Sequence, residues 1–111
     1  MGAYTPCKGD YVTVSFDPQA GHEQRGRRPA LVVSNDLFNS SMGLCVVCPI
    51  TRTDRAFPFH VRIPAGEDVD GQVMIEQVKS IDFRSRGMKR IGRASPPVLA
   101  EALAILDSCL Y

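Results

Sequence analysis

The sequence predicts a small, mainly β domain: a strongly curved barrel or half-barrel covered by one C-terminal helix. Three observations carry that prediction. Short apolar runs, alternating or continuous, recur from Lys8 to Ile81 between polar breaks rich in glycine and proline. Asp70-Gly71, whose two residues tolerate positive φ, marks a hairpin. After Ser95-Pro96 the apolar spacing changes to three and four residues and stays so to the end.

The first strand lies in GDYVTVSFDP, with Val12, Val14 and Phe16 on one face and Tyr11, Thr13 and Ser15 on the other, a half-buried pattern ended by Asp17-Pro18. A long polar loop runs through Arg28, and Ala30 to Ser34 resumes extended structure. Asn35 to Met42, rich in Asn and Ser, reads as a loop with at most a helical turn around Asp36 to Phe38. Gly43 to Thr51 is apolar on both faces, as a central strand would be, with a bulge or edge near Pro49. Phe57 to Ile63 reads as a further strand with Phe57, Phe59, Val61 and Ile63 in step and His60 and Arg62 opposite. Gln72 to Ile81 returns as a fifth. Asp82 to Ala94 is basic and irregular around Gly87, with a short strand near Ile91. Ser95 and Pro96 then open a helix as N-cap and first residue, with Val98, Leu99, Ala102, Leu103, Ile105 and Leu106 on its apolar stripe.

The 111 residues suit one domain, 1–111. The formal charge of +1 hides an uneven distribution, because Arg84, Arg86, Lys89, Arg90 and Arg93 run without an intervening acid while Glu67, Asp68 and Asp70 cluster before them. Cys45 and Cys48 form a C-x-x-C, but inside a strand residues three apart face opposite ways and cannot share a metal or a bridge. All four cysteines read as reduced packing or surface residues, and no metal site is expected. No secretory leader is read and no apolar run approaches membrane-spanning length, so a cytoplasmic protein without membrane contact is expected.

The chemistry concentrates in GHEQRGRRPALVVS, residues 21–34. Glu23, Arg25, Arg27 and Arg28 place one carboxylate and three guanidiniums within six residues, a repulsive cluster that an anion would relieve. Guanidinium forks suit phosphate oxygens, which points to a phosphate-bearing ligand; the competing reading is a solvated loop. Arg84 and Arg86, at the start of the basic run, are either an RNA-backbone patch or a solvated face.

The order of elements, with GDYVTVSFDPQAGHEQRGRRPALVVS at the front, then CVVCPITRT, FPFHVRIP and DGQVMIEQVKSIDFRSRG, resembles the MazF/PemK family of bacterial toxins, ribonucleases of toxin–antitoxin pairs. The resemblance covers nearly the whole chain. It implies an SH3-like barrel of the CcdB/MazF kind, a homodimer, and sequence-specific cleavage of single-stranded RNA without metal or other cofactor. It also implies a small MazE-like antitoxin whose flexible tail lies over the RNA site. Carried over by position, the family's functional arginine of the "RP" step falls on Arg28, its acidic partner on Glu23 and its threonine on Thr51; Gln77 and Ser80 match positions that hold RNA. Arg25 and Arg27 stand where related sequences often carry neutral residues or histidine, which bears on the recognised sequence more than on the chemistry.

Metal-free cleavage uses the 2′-hydroxyl of RNA as nucleophile and leaves a cyclic phosphate and a 5′-hydroxyl. Arg28 suits stabilisation of the dianionic phosphorane, and Thr51 can donate a further hydrogen bond. Glu23 either takes the 2′ proton or orients Arg28. His22 and His60 are the alternative acid and base, or else surface and packing residues. Two further functions compete: a gyrase poison of the CcdB type, and an RNA-binding module that cuts nothing.

Overall fold

The computed structural model of the chain describes residues 4–15, 27–54 and 56–111. Among these residues the elements are β1 (Asp10–Ser15), β2 (Arg27–Val32), α1 (Asp36–Met42), β3 (Leu44–Thr51), β4 (His60–Arg62), β5 (Gln72–Met74), a 3-10 turn (Ile75–Gln77), β6 (Lys79–Asp82), β7 (Lys89–Arg93) and α2 (Pro96–Leu110). The architecture is mainly β with a C-terminal helix, as expected. The sheet is open: its path runs β4-β5-β3-β2-β1-β7, with β6 also paired to β3, and its two ends do not pair among the described residues. Barrel is therefore a loose word for it.

β3 is the central strand. One edge carries β2; the other is shared, with β6 along its first half and β5 at its end. The 3-10 turn makes this sharing possible. Between the pairs Ile50↔Val73 and Val47↔Lys79 the partner strand advances three residues more than β3 does, the three residues of the turn. The uninterrupted strand read over Gln72 to Ile81 is thus broken, and Glu76 and Gln77 are thrust out of both ladders.

Apolar residues are buried on both faces of the sheet, so β1 is not the half-buried strand expected. One cluster joins Tyr11, Leu31, Cys48, Ile50, Val61, Val73 and Ile75 to Val98 and Ala102 of α2. The other joins Val12, Val14, Ala30, Val32, Cys45, Val47, Ile81, Phe83 and Met88. Cys45 and Cys48 fall in different clusters, on opposite faces of β3.

Three elements differ from their sequence readings for local reasons. Asp36–Met42 form a helix because Asn35 caps it, its side chain accepting from the Phe38 N–H at 2.8 Å, and Gly43 closes it at φ 68°. The strand read from Phe57 to Ile63 shrinks to His60–Arg62, and Phe57 and Phe59 are exposed. Ser95 stands at the N-cap of α2 with Pro96 after it, yet its hydroxyl donates to Glu67 Oε2 at 2.5 Å instead of capping.

Candidate active site

The end of β3 and the displaced 3-10 turn form the rim of a cleft of about 370 Å³. Thr51, Thr53, Phe57, His60, Met74, Glu76 and Gln77 line it. Thr51 is held from two sides. Its hydroxyl oxygen accepts from the Thr53 N–H at 3.1 Å, which leaves its own proton free to donate outward. Gly71, at φ 125°, packs so closely under it that a Cβ would collide with the Thr51 carbonyl oxygen.

Arg28 reaches this region from the neighbouring strand. It is exposed and lies on the same sheet face as Ala30 and Val32. The β2–β3 ladder pairs Val32↔Val47, Leu31↔Cys48 and Ala30↔Pro49. Carried two residues past Ala30↔Pro49, the same register would set Arg28 across from Thr51; the rung that Arg28 forms is with Val14 of β1. Of the residues expected at the site, Thr51 and Gln77 line one cleft, while Arg28 is exposed on β2 and is not among its lining residues. Glu23, Arg25 and His22 lie outside the described residues.

The remaining candidates sit elsewhere. Arg27 points across β1, donating through Nη2 to Thr13 O at 3.2 Å, Thr13 Oγ1 at 2.9 Å and Gly87 O at 2.8 Å. It ties β2 to the β6–β7 turn. Ser80 is exposed on β6 opposite Val46, five residues along β3 from Thr51, or about 16 Å at the rise of an extended strand. Arg84 lies over the Phe83 ring at 5.9 Å from its centroid, and Arg86 Nη1 donates to Ser15 O at 3.2 Å. Ser80 is thus set well back from Thr51 along β3, whereas Arg86 lies beside the Ser15↔Arg27 pair, one rung from Arg28.

Sequence reasoning gave little weight to His60 and none to Glu76 or Phe57. The His60 side chain is only 5% exposed; its Nδ1 lies 2.8 Å from Gln72 Oε1 and its Nε2 3.1 Å from Glu76 Oε2. Phe57 stacks obliquely against it, with ring centroids 4.9 Å apart. The usable signal was the Asp70-Gly71 hairpin, which pairs β4 with β5 and brings His60 against Met74 and Arg62 against Gln72.

The cysteines are not part of the site's chemistry. Burial, aided by the charge of Glu76 and by Cys109, pushes the Cys48 thiol up to about 12, and burial alone does the same to Cys45. Among the described residues no group of three His, Cys, Asp or Glu side chains is arranged to hold a metal ion, and no helix is long and apolar enough to cross a membrane.

With this geometry in view, similarity to known proteins becomes informative. The model of a family described as "PemK-like, MazF-like toxin of type II toxin-antitoxin system" matches residues 8–110. The chain is 41% identical over 99 residues to "Endoribonuclease toxin MazF" of Escherichia coli (strain K12), covering 89% of this chain and 88% of that one. It is 44% identical over 106 residues to "Endoribonuclease toxin ChpB" of the same strain, covering 91% and 90%. Among solved structures it superimposes on MazF (Form-I) from Deinococcus radiodurans with TM-score 0.87 at 44% identity, covering 97% and 98% of the two chains. With the MazE-MazF (Form-II) crystal structure from the same organism the TM-score is 0.85 at 37% identity, with 97% of each chain covered.

Proposed function

Because the chain belongs to the PemK-like, MazF-like toxin family of type II toxin–antitoxin systems, we propose that it is an endoribonuclease toxin neutralised by a MazE-type antitoxin. Relatives covering most of both chains carry the name endoribonuclease, and a structural neighbour is a MazE-MazF complex. What supports the reading is that Thr51 lines a cleft and that the β2–β3 register, extended two residues past Ala30↔Pro49, would bring Arg28 opposite it.

The chain acts as one domain, 1–111, in the cytoplasm, as a homodimer, on single-stranded RNA at short sequences. The scissile phosphate sits between Arg28 and Thr51. The substrate's 2′-hydroxyl attacks phosphorus, the bond to the 5′-oxygen of the next nucleotide breaks, and a 2′,3′-cyclic phosphate and a 5′-hydroxyl result. Arg28 neutralises charge growing on the equatorial oxygens, and Thr51 adds a hydrogen bond through its outward-facing proton. Glu23 either accepts the 2′ proton or orients Arg28. No step calls for a metal ion or another cofactor. Arg25 and Arg27 flank the backbone as it enters. Gln77 holds RNA inside the cleft, while Ser80, Arg84 and Arg86 engage the strand outside it.

The test is incubation of the purified protein with a long single-stranded RNA in EDTA. Discrete fragments with cyclic phosphate and 5′-hydroxyl ends are expected. Intact RNA of retarded mobility would instead identify a non-catalytic binding module, and intact RNA of unchanged mobility would overturn the nuclease reading.

A further inference from the structure

The chain leaves the end of β3 through Thr51, Arg52, Thr53 and Asp54, and both ends of that stretch are attached to the same residue of β5. At the near end Thr51 pairs with Gln72 in the β3–β5 ladder. At the far end the Gln72 side chain donates through Nε2 to Asp54 Oδ1 at 3.2 Å. One residue thus closes the stretch into a loop. Inside that loop lies the bond from the Thr53 N–H to Thr51 Oγ1, at 3.1 Å, which leaves the threonine proton to point outward.

Gln72 is only 3% exposed, and burying an amide is costly unless both of its ends are bonded. Both are: Nε2 meets Asp54, and Oε1 lies 2.8 Å from His60 Nδ1. A carboxylate only accepts, so Asp54 selects the amide nitrogen and leaves Oε1 to the ring. Arg62, opposite Gln72 on β4, also donates to Asp54 Oδ1, at 2.8 Å. That ion pair is 68% and 78% exposed, a setting in which such pairs contribute little. The buried amide is therefore the firmer hold on the loop.

We propose that Gln72 is a positioning residue for the cleavage reaction: by closing the loop from Thr51 to Asp54 it keeps the Thr53 N–H on Thr51 Oγ1 and aims the threonine proton at the scissile phosphate. It acts without touching RNA, since it is not among the residues that line the cleft. With the loop open, the Thr51 hydroxyl rotates freely and its donor is no longer preset toward the oxygen on which charge develops. The loss falls on turnover more than on binding, because that hydrogen bond strengthens in the transition state.

This inference rests on the endoribonuclease reading for the task of Thr51, and the experiment reads the two separately. Solvent exchange of the Thr53 amide is followed by NMR without RNA, and kcat and KM are measured on a defined single-stranded RNA. The proteins are the wild type, Gln72→Met, Asp54→Ala, Thr51→Val, and Thr51→Val combined with each of the first two; methionine keeps the length of glutamine and suits a buried slot. Gln72→Met and Asp54→Ala should each speed exchange of the Thr53 amide about tenfold. Each should also lower kcat about tenfold with KM nearly unchanged, part of the loss of on the order of 100-fold that follows removal of a whole donor. In Thr51→Val, which already lacks the hydroxyl, neither should cost anything further, because both act through that group. A merely structural role would lower activity by the same factor in both backgrounds.

Unchanged exchange at Thr53 in both single variants overturns the proposal, as does a further loss of kcat in the Thr51→Val background. If Gln72→Met does not fold, Asp54→Ala, an exposed position, decides by the same readings. Exchange at Thr53 that depends on Gln72, with no RNA cut by the wild type, would sink the nuclease reading and leave the hold on Thr51 standing. Cleavage by a protein whose Thr53 amide ignores both substitutions would do the reverse.

Discussion

The hydroxyl of Tyr11, a fully buried residue of β1, donates to Glu67 Oε1 at 2.6 Å, joining the sheet to the loop that precedes β5. The same carboxylate accepts from the Ser95 N–H and hydroxyl, so one acid ties together the sheet, the loop and the start of α2. Partial burial would raise the Glu67 carboxyl, but the hydrogen bonds from Ser95 and Tyr11 outweigh it and hold the group below the ordinary carboxylate range.

A folded-state value below the unfolded one means that the ionised form stabilises the fold. That contribution is complete above the ordinary carboxylate pKa and disappears as pH falls through the lowered value. Glu67→Gln is expected to cost about 1–3 kcal/mol at neutral pH, the usual worth of hydrogen bonds to a charged group. Urea unfolding at pH 7 and at pH 3 should show the deficit of the variant shrinking in acid; a deficit equal at both would contradict the assignment.

Arg28→Ala should lower the rate of RNA cleavage by at least about 100-fold, the loss expected for one well-placed donor to a developing oxyanion. Arg28→Lys should recover little of it, because an ammonium cannot offer two parallel N–H groups. Thermal unfolding should be nearly unchanged in both, since the side chain is exposed. Single-turnover cleavage of a defined RNA checks this, and wild-type rates in Arg28→Ala would remove the residue from the chemistry.

Gly71→Ala should damage fold and activity together. A Cβ there drives into the Thr51 carbonyl, and φ 125° is unfavourable for any side chain. A loss of more than about 1 kcal/mol is expected from the backbone conformation alone, accompanied by slower cleavage as Thr51 shifts. Unaltered denaturation and cleavage would show that β3 can yield at its end.

Thiol reactivity should divide by position. Cys109 is exposed, whereas Cys45 and Cys48 are buried and raised to about 12. Brief maleimide treatment of native protein, followed by peptide mass mapping, should label Cys109 first and leave Cys45 and Cys48 unmodified until denaturant is added. Rapid native labelling of Cys48 would mean that α2 does not cover it.

What could be read from the chain was what repeats along it. The alternation in residues 10–15, the apolar run ending at Thr51 and the three- and four-residue spacing after Pro96 each announce their element, and the helix and central strand stand where expected. The C-x-x-C reading follows from strand geometry alone, and the structure puts Cys45 and Cys48 on opposite faces. The helix over residues 36–42 was missed because Asn35 and Gly43 act through side-chain and backbone capping, while Asn and Ser within it have weak helical preference. The break inside Gln72 to Ile81 was missed because no glycine or proline marks it; it arises from the way β3 divides one edge between two partners. Thr51 and Gln77 were singled out only through family resemblance, since their place on one cleft is a matter of strand pairing. The partners of His60 were not legible for the same reason: Gln72 and Glu76 lie 12 and 16 residues away in sequence.

The 3-10 turn shapes what this chain can become. Glu76 and Gln77 stand on residues that neither ladder uses, so exchanging them leaves every strand pair in place. Single codon changes at these two positions can therefore recast one side of the cleft while the pairing of β3 with β5 and β6 is kept.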